Sequence, residues 1–220
     1  MLLSEITFKR SIFLILSIKI CHSAMLGLAL SNNIFQIKEL VATEISLSTN
    51  YGVATSLFLI IILIPILEEV VFRGWLSAEI IVIKWCLPFL FLYSIIFILS
   101  IAFKELGQIK YLIGLVIGSI FTLLSFKNLQ VIKIFIMKNM RLLIGVSIAA
   151  FTAIHLFNYQ IEHWSLNKIA SLAIMALPYP FMAYILTIIR IRKGLAWSAV
   201  LHILSNSLIA IPFLFNGHNP

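Results

Sequence analysis

Two glutamates and an arginine directly follow an apolar run, in the stretch IPILEEVVFRG at residues 64–74. The chain has no aspartate, and of its eight acidic residues only Glu68 and Glu69 fall well inside an apolar segment. On a helix, Glu69 and Arg73 share one face because they are four residues apart, with the acid before the base, as favours an ion pair. Such a pair accounts for Glu69 and Arg73 but does not explain Glu68, which points about 100° away.

Two further motifs place histidines in apolar segments. In AAFTAIHLFN, His155 follows Phe151 by four residues, and in SAVLHILSNS, His202 and Asn206 are also four residues apart. A lone histidine on an apolar helix is more often a hydrogen-bonded core residue than a catalyst. The second motif also fits an interhelical hydrogen-bond ladder, which polar residues form in membrane bundles.

The estimated depths of these groups are similar enough for them to share one pocket. With a rise of 1.5 Å per residue, Glu68, His155 and His202 would lie roughly 15, 21 and 12 Å from the inner ends of their helices. A carboxylate and an imidazole across a wet cavity can hold and deprotonate a water. His202 and Asn206 could donate hydrogen bonds to a developing oxyanion. The expected reaction is therefore attack of water on an amide carbonyl inside the membrane.

The absence of particular residues and motifs argues against other classes of protease. The lack of aspartate excludes a two-aspartate protease, and neither GxSxG nor HExxH occurs. An irregular metal site built from Glu68, His155 and His202 remains as an alternative mechanism. It ranks second because no helix carries metal-ligand spacing, so no metal or other cofactor is expected. Cys21 and Cys86 have no zinc or disulfide spacing and are interpreted as core residues.

The elements that must position these residues are membrane-spanning helices. The chain has 220 residues, of which 62% are hydrophobic and 11% charged, a composition outside the range of soluble domains. Since about 20 apolar residues cross a bilayer as a helix, the sequence predicts an all-α, polytopic transmembrane bundle of about seven spans. We place them at about 11–30, 51–78, 85–103, 111–126, 142–158, 169–189 and 194–215, within a single membrane domain over residues 1–220.

We interpret the net charge of +8 as a consequence of membrane topology and not as evidence of a nucleic-acid-binding site. If the N-terminus is cytoplasmic, only Lys38, Lys104, Lys110 and Lys168 among the loop lysines and arginines fall outside, which satisfies the positive-inside rule. Residues 127–141 alternate lysine with apolar residues and predict an amphipathic helix on the inner headgroup layer. Abundant isoleucine and a low ratio of arginine to lysine suit a bacterial plasma membrane.

The three motifs together resemble the CPBP family, which contains CAAX prenyl endopeptidases and bacteriocin-processing or self-immunity proteins of the Abi type. The resemblance covers roughly residues 55–215 and rests on EExxxR (Glu68, Glu69, Arg73), FxxxH (Phe151, His155) and HxxxN (His202, Asn206). It implies a glutamate-dependent intramembrane endopeptidase. In that reading Glu68 and His155 activate water, His202 and Asn206 stabilise the oxyanion, and Glu69 and Arg73 support the site. The family's description as metalloproteases leaves a metal open.

One feature departs from the family pattern. The distance along the chain from Glu68 to His155 exceeds what the family leads us to expect, as if a pair of spans at about 85–126 were inserted. Besides the peptidase, the sequence allows a non-catalytic peptide-binding or immunity protein that uses the same pocket. A small transporter with a proton relay is less favoured, since no half-chain repeat is evident. The expected partners are a membrane-associated or lipidated peptide and the bilayer.

Overall fold

A computed structural model describes residues 8–31, 52–103, 107–157, 159 and 165–216 of the chain. Within these ranges every regular element is helical. This agrees with the unbroken apolar runs, because backbone groups in lipid must form their hydrogen bonds within their own segment. The protein is an all-α helical membrane bundle, as the sequence predicts. Lys38 and Lys104, which enter the topology prediction, lie outside the described residues.

The second helix, α2, consists of four consecutive segments in which α and π geometry alternate. These are Val53–Phe58, the π-helical Leu59–Leu63, Ile64–Glu69 and the π-helical Val70–Gly74. In chain order, the helices in the described ranges are α1 (Phe8–Ser31), α2, α3 (Ile80–Ala102), α4 (Ile109–Lys127), α5 (Leu129–Lys138), α6 (Met140–Phe157), α7 (Leu166–Ala176), α8 (Pro178–Lys193) and α9 (Leu195–Asn216).

Every one of the seven predicted spans overlaps a helix. Among the residues described in full, four segments are long and apolar enough to cross a membrane: Ala54–Gly74, Ile80–Ala102, Ile109–Lys127 and Leu166–Lys193. The pair of α5 and α6 would make a fifth span, bent by 89°. The span predicted at 169–189 is divided into α7 and α8, which meet at Pro178. Parts of α1 and α9 carry side chains outside the described set.

The end of α2 differs from the prediction. The sequence places it near residue 78, whereas the helix ends at Gly74. A tight turn follows, in which the Leu76 N–H bonds the Arg73 carbonyl at 3.1 Å and the Ser77 N–H bonds the Trp75 carbonyl at 2.8 Å. The Ser77 hydroxyl then accepts a hydrogen bond from the Glu79 N–H at 3.1 Å, just before α3 begins. A turn that contains Ser77 therefore separates α2 from α3 within an otherwise apolar stretch.

Contacts group the chain into two compact units. The first unit comprises Met1–Ile66 with Ser147–Pro220, and the second comprises Leu67–Val146. In the second unit α3 and α4 form a hairpin, and the small buried residues Gly114, Gly118 and Thr122 line one face of α4. A Cβ atom at Gly118 would lie 3.3 Å from the Cα atom of Leu92. Glycine is required there because the two helix backbones approach closely.

The amphipathic helix predicted at 127–141 is present as α5, in the second unit. Ile136 is buried in a core cluster with Ile83 and Leu87, and Leu129 and Ile132 pack against that cluster. The opposite face exposes large apolar side chains, Val131, Ile134, Phe135 and Met137. A helix with one face on protein and an apolar, lysine-flanked face outward is typical of a membrane interface.

In the first unit, α8 occupies the centre. Its residues Ile185, Leu186, Thr187, Ile188, Ile189 and Arg190 are buried in succession, and six consecutive helical residues point in all directions around the axis. Helix α1 packs against α7, α8 and α9. Its buried residues Ser11, Ile15, Lys19 and His22 recur at intervals of three or four, so they form one stripe.

Candidate active site

The two glutamates of the first motif lie in a short α-helical segment between two π turns. Glu68 and Glu69 end the segment Ile64–Glu69, and Val70–Gly74 follows in π geometry. Such π turns are rare and are frequently found at functional sites. Because α2 ends at Gly74, Glu68 lies only about 9 Å from the helix end, at 1.5 Å per residue. It is shallower in its helix than the sequence estimate of roughly 15 Å.

Glu69 and Arg73 form the predicted ion pair, in the second unit. The Arg73 Nη1 atom donates a hydrogen bond to the Glu69 Oε1 atom, and both side chains are 0% exposed. A buried charge is costly unless it is paired and hydrogen-bonded. Within the pair each charge neutralises the other, whereas either charge alone would be costly to bury in lipid or in the protein interior.

Glu68 is only partly buried, and it lies near Arg73 and the hydroxyl of Tyr93 on α3 in the second unit. The Tyr93 ring packs edge-to-face on Phe72 with centroids 5.9 Å apart. Since α3 belongs to the segment that sequence reasoning interprets as inserted, this segment supplies a neighbour of Glu68. Sequence reasoning missed Tyr93 because nothing distinguishes it locally from the other aromatic residues of that span.

The glycine that ends the first motif allows α2 and α3 to approach closely. A Cβ atom at Gly74 would lie 2.3 Å from the Cys86 Sγ atom and 3.0 Å from its Cβ atom. A side chain at position 74 would therefore require Cys86 to move. Cys86 is buried, which agrees with its interpretation as a core residue, whereas Cys21 is exposed.

His155 is held by Phe151 in two ways. Its Nδ1 atom lies 2.9 Å from the Phe151 carbonyl oxygen, and its ring centroid lies 4.2 Å from that of the Phe151 ring. A carbonyl oxygen only accepts hydrogen bonds, so Nδ1 carries the proton and Nε2 keeps its lone pair. The spacing of four residues thus fixes both the position and the tautomer of His155, and leaves Nε2 as the basic atom.

His202 also packs against the ring of Phe151. The Phe151 and His202 ring centroids are 5.7 Å apart, and both residues are 0% exposed. One turn further along α9, the Ser205 hydroxyl contacts the Met182 sulfur at 3.2 Å. The structure therefore brings His155 and His202 of the prediction together around Phe151, within the first unit.

Asn206 bonds to α2 within the first unit. Its Nδ2 atom donates to the Ile60 carbonyl oxygen at 3.2 Å. In the π turn the Ile64 N–H bonds the Leu59 carbonyl, and Pro65 has no N–H, so the helix leaves the Ile60 carbonyl available. Asn206 satisfies this backbone group, as in the interhelical ladder weighed from the sequence. The asparagine retains a second N–H and its own oxygen.

Two residues that sequence reasoning missed pack close to His155. The Tyr179 ring centroid is 4.7 Å from that of His155, and the His22 ring packs edge-on against Tyr179 at 5.2 Å. The Tyr179 hydroxyl is 2.9 Å from that of Tyr159. His22 is 3% exposed, and its Nε2 atom has no hydrogen-bond partner among the described residues. The only sequence signal for these two residues was that His22 is a histidine inside the first apolar run.

The predicted site residues therefore fall into two groups of contacts. Glu68, Glu69 and Arg73 belong to the second unit, and His155, His202 and Asn206 belong to the first. In the described part of the chain, no three His, Cys, Asp or Glu side chains are grouped so that they could hold a metal ion.

No protein-family model, curated protein or solved structure matches the chain.

Proposed function

We propose that the chain is an intramembrane endopeptidase of the CPBP type, which hydrolyses a peptide bond in a membrane-associated or lipidated peptide. The observation that carries the proposal is the state of His155. Its Nδ1 atom donates a hydrogen bond to the Phe151 carbonyl at 2.9 Å, so Nε2 is the basic nitrogen of the neutral ring, the atom that a general base needs.

In the proposed reaction, the His155 Nε2 atom takes the proton of a water as the water oxygen bonds to the scissile carbonyl carbon, and Glu68 is the carboxylate predicted to share this role as base. The carbonyl oxygen becomes an oxyanion, which accepts hydrogen bonds from His202 and from the second N–H of Asn206. Collapse of the intermediate breaks the C–N bond, and the proton passes to the leaving amine. Glu69 and Arg73 hold the α2 end that carries Glu68. No step needs a metal.

The setting of this activity follows from the apolar helices and the charge distribution. We place the protein in a bacterial plasma membrane with its N-terminus in the cytoplasm, because most loop lysines and arginines then lie inside. The substrate would be cut near the inner leaflet, and no nucleic acid takes part.

The proposal is tested with purified protein in nanodiscs and a library of prenylated and unmodified peptides. Glu68→Gln and His155→Ala are each expected to lower kcat by about 10²–10⁴-fold, the usual contribution of a general base. Glu79→Gln, an exposed acid of the same unit, is the matched control and should cleave as the wild type does. Cleavage that survives both substitutions would contradict the mechanism, whereas activity lost on chelation would favour a metal.

A second candidate is a non-catalytic peptide-binding or bacteriocin-immunity protein with the same fold. It is favoured by the bond between Asn206 and the Ile60 carbonyl, which gives one predicted catalytic residue a structural task. This candidate predicts that peptides bind without being cut. It also predicts that Glu68→Gln leaves the binding affinity within about twofold, a change of less than 0.5 kcal/mol.

A further inference from the structure

Tyr179 at the start of α8 contacts residues from three other parts of the first unit. Its ring packs on His155 of α6 with centroids 4.7 Å apart and an interplanar angle of 38°. It meets His22 of α1 edge-on at 5.2 Å and 78°. Its hydroxyl hydrogen-bonds the Tyr159 hydroxyl at 2.9 Å. These contacts restrain both the plane and the tip of the tyrosine ring.

His155 is consequently packed by two aromatic rings, Phe151 at 4.2 Å and Tyr179 at 4.7 Å. The Phe151 carbonyl fixes which nitrogen is protonated. Packing by the Tyr179 ring adds a restraint on the plane of the imidazole. A general base must be held in a productive geometry, because a misplacement of about 1 Å costs on the order of 100-fold in rate.

A histidine at position 22 does not favour the stability of the folded protein. It is 3% exposed, and its Nε2 atom has no hydrogen-bond partner within the described ranges, so burying it costs free energy that an aliphatic side chain would not cost. What an imidazole offers and leucine does not is a flat ring with a polarised edge, which favours the edge-to-face contact with Tyr179. The neighbouring Lys19 on the same stripe is likewise buried.

We propose that Tyr179 is a positioning residue for His155, and that His22 supports it by fixing the plane of the tyrosine ring. This inference rests on the proposed function, since it assigns these residues to the same site. Neither residue touches the reacting atoms. They act through the orientation of the His155 imidazole, and so extend the site from α6 to α8 and α1.

The test combines kinetics, stability and nitrogen NMR of histidine-labelled protein in nanodiscs. His22→Leu is expected to keep or raise the midpoint of thermal unfolding, yet lower kcat by roughly 10- to 100-fold with KM unchanged. Tyr179→Leu should lower kcat similarly, and the double variant should be no worse than the poorer single variant, because both act by one route. Tyr179→Phe, which keeps the ring, should retain most activity. Cys21→Ser, at the exposed neighbour of His22, is the matched control.

The NMR measurement separates failure of this inference from failure of the proposed function. In the wild type, His155 should show only the Nδ1-protonated tautomer, and His22→Leu and Tyr179→Leu should give a mixture or broadened signals, whether or not any peptide is cleaved. The inference is overturned if His155 keeps a single sharp tautomer in both variants. It is also overturned if kcat falls only in step with thermal stability, since His22 and Tyr179 would then be structural.

Discussion

Phe151 contributes to the surroundings of His155 through two different parts of the residue. Its carbonyl accepts the Nδ1 proton, and any amino acid at position 151 would offer that group. Its ring, in contrast, contacts both His155 and His202, at 4.2 and 5.7 Å. An aromatic ring at position 151 thus packs against both imidazoles, which gives the phenylalanine of FxxxH a physical role.

The Glu69–Arg73 pair is expected to dominate the stability of the second unit. Glu69→Gln leaves the arginine buried without its hydrogen-bonded anion and should cost about 3 kcal/mol in the free energy of unfolding. Replacing both partners, as Glu69→Leu with Arg73→Met, removes the charges together and should recover most of that loss. Unfolding by denaturing detergent measures both variants. Equal stability of Glu69→Gln and wild type would contradict the assignment of a buried ion pair.

Asn206 offers a one-atom test of its bond to Ile60. In Asn206→Asp, a carboxylate oxygen replaces the amide nitrogen that donates to the Ile60 carbonyl at 3.2 Å. Two acceptors then face each other, so we expect a loss of about 1–3 kcal/mol in stability, larger than the loss for Asn206→Ala. Thermal unfolding compares the two. Ser207→Ala is the control, since that hydroxyl bonds within its own helix, to the Ile203 carbonyl at 2.8 Å.

At the scale of helices, the hairpin of α3 and α4 depends on glycine. A Cβ atom at Gly118 would press on the Leu92 backbone at 3.3 Å, whereas one at Gly145 of α6 would meet nothing within 4 Å. Gly118→Ala should therefore destabilise the protein by about 1–3 kcal/mol through overpacking. Gly145→Ala, its matched control, should be neutral or stabilising by up to about 1 kcal/mol. Similar effects of the two would show that the helices do not approach closely.

Helix α5 is expected to bind anionic lipid. It presents Val131, Ile134 and Phe135 outward, with Lys133 and Lys138 in the same ten-residue helix. Each lysine near an anionic surface contributes about 1 kcal/mol. Lys133→Gln with Lys138→Gln should therefore reduce retention of phosphatidylglycerol over phosphatidylcholine, measured by native mass spectrometry. Asn139→Ala, beside them, should not. Unchanged lipid preference would argue against an interfacial α5.

Across the whole molecule, the sequence predicted the helices better than their contacts. The apolar runs are long and unbroken, so each predicted span overlaps a helix, although the span at 169–189 is divided into two. The end of α2 was wrong because turn residues such as Ser77 act through side-chain bonds that hydropathy ignores. The Glu69–Arg73 pair was found because its partners are four residues apart. Tyr93, Tyr179 and His22 were missed because their contacts join distant segments, which local spacing does not reveal.

The division of the chain into units has a consequence for its biogenesis. The first unit combines Met1–Ile66 with Ser147–Pro220, so α1 leaves the ribosome long before α8 and α9, on which it packs. Until they arrive, the stripe with Lys19 and His22 faces lipid or an insertion factor, and an ionisable group in lipid costs about 2.5–3.5 kcal/mol. We expect chains stalled after Lys127 to leave α1 open to protease, and completed chains to protect it. Helix α1 would thus reach its final packing only after α8 and α9 have been synthesised.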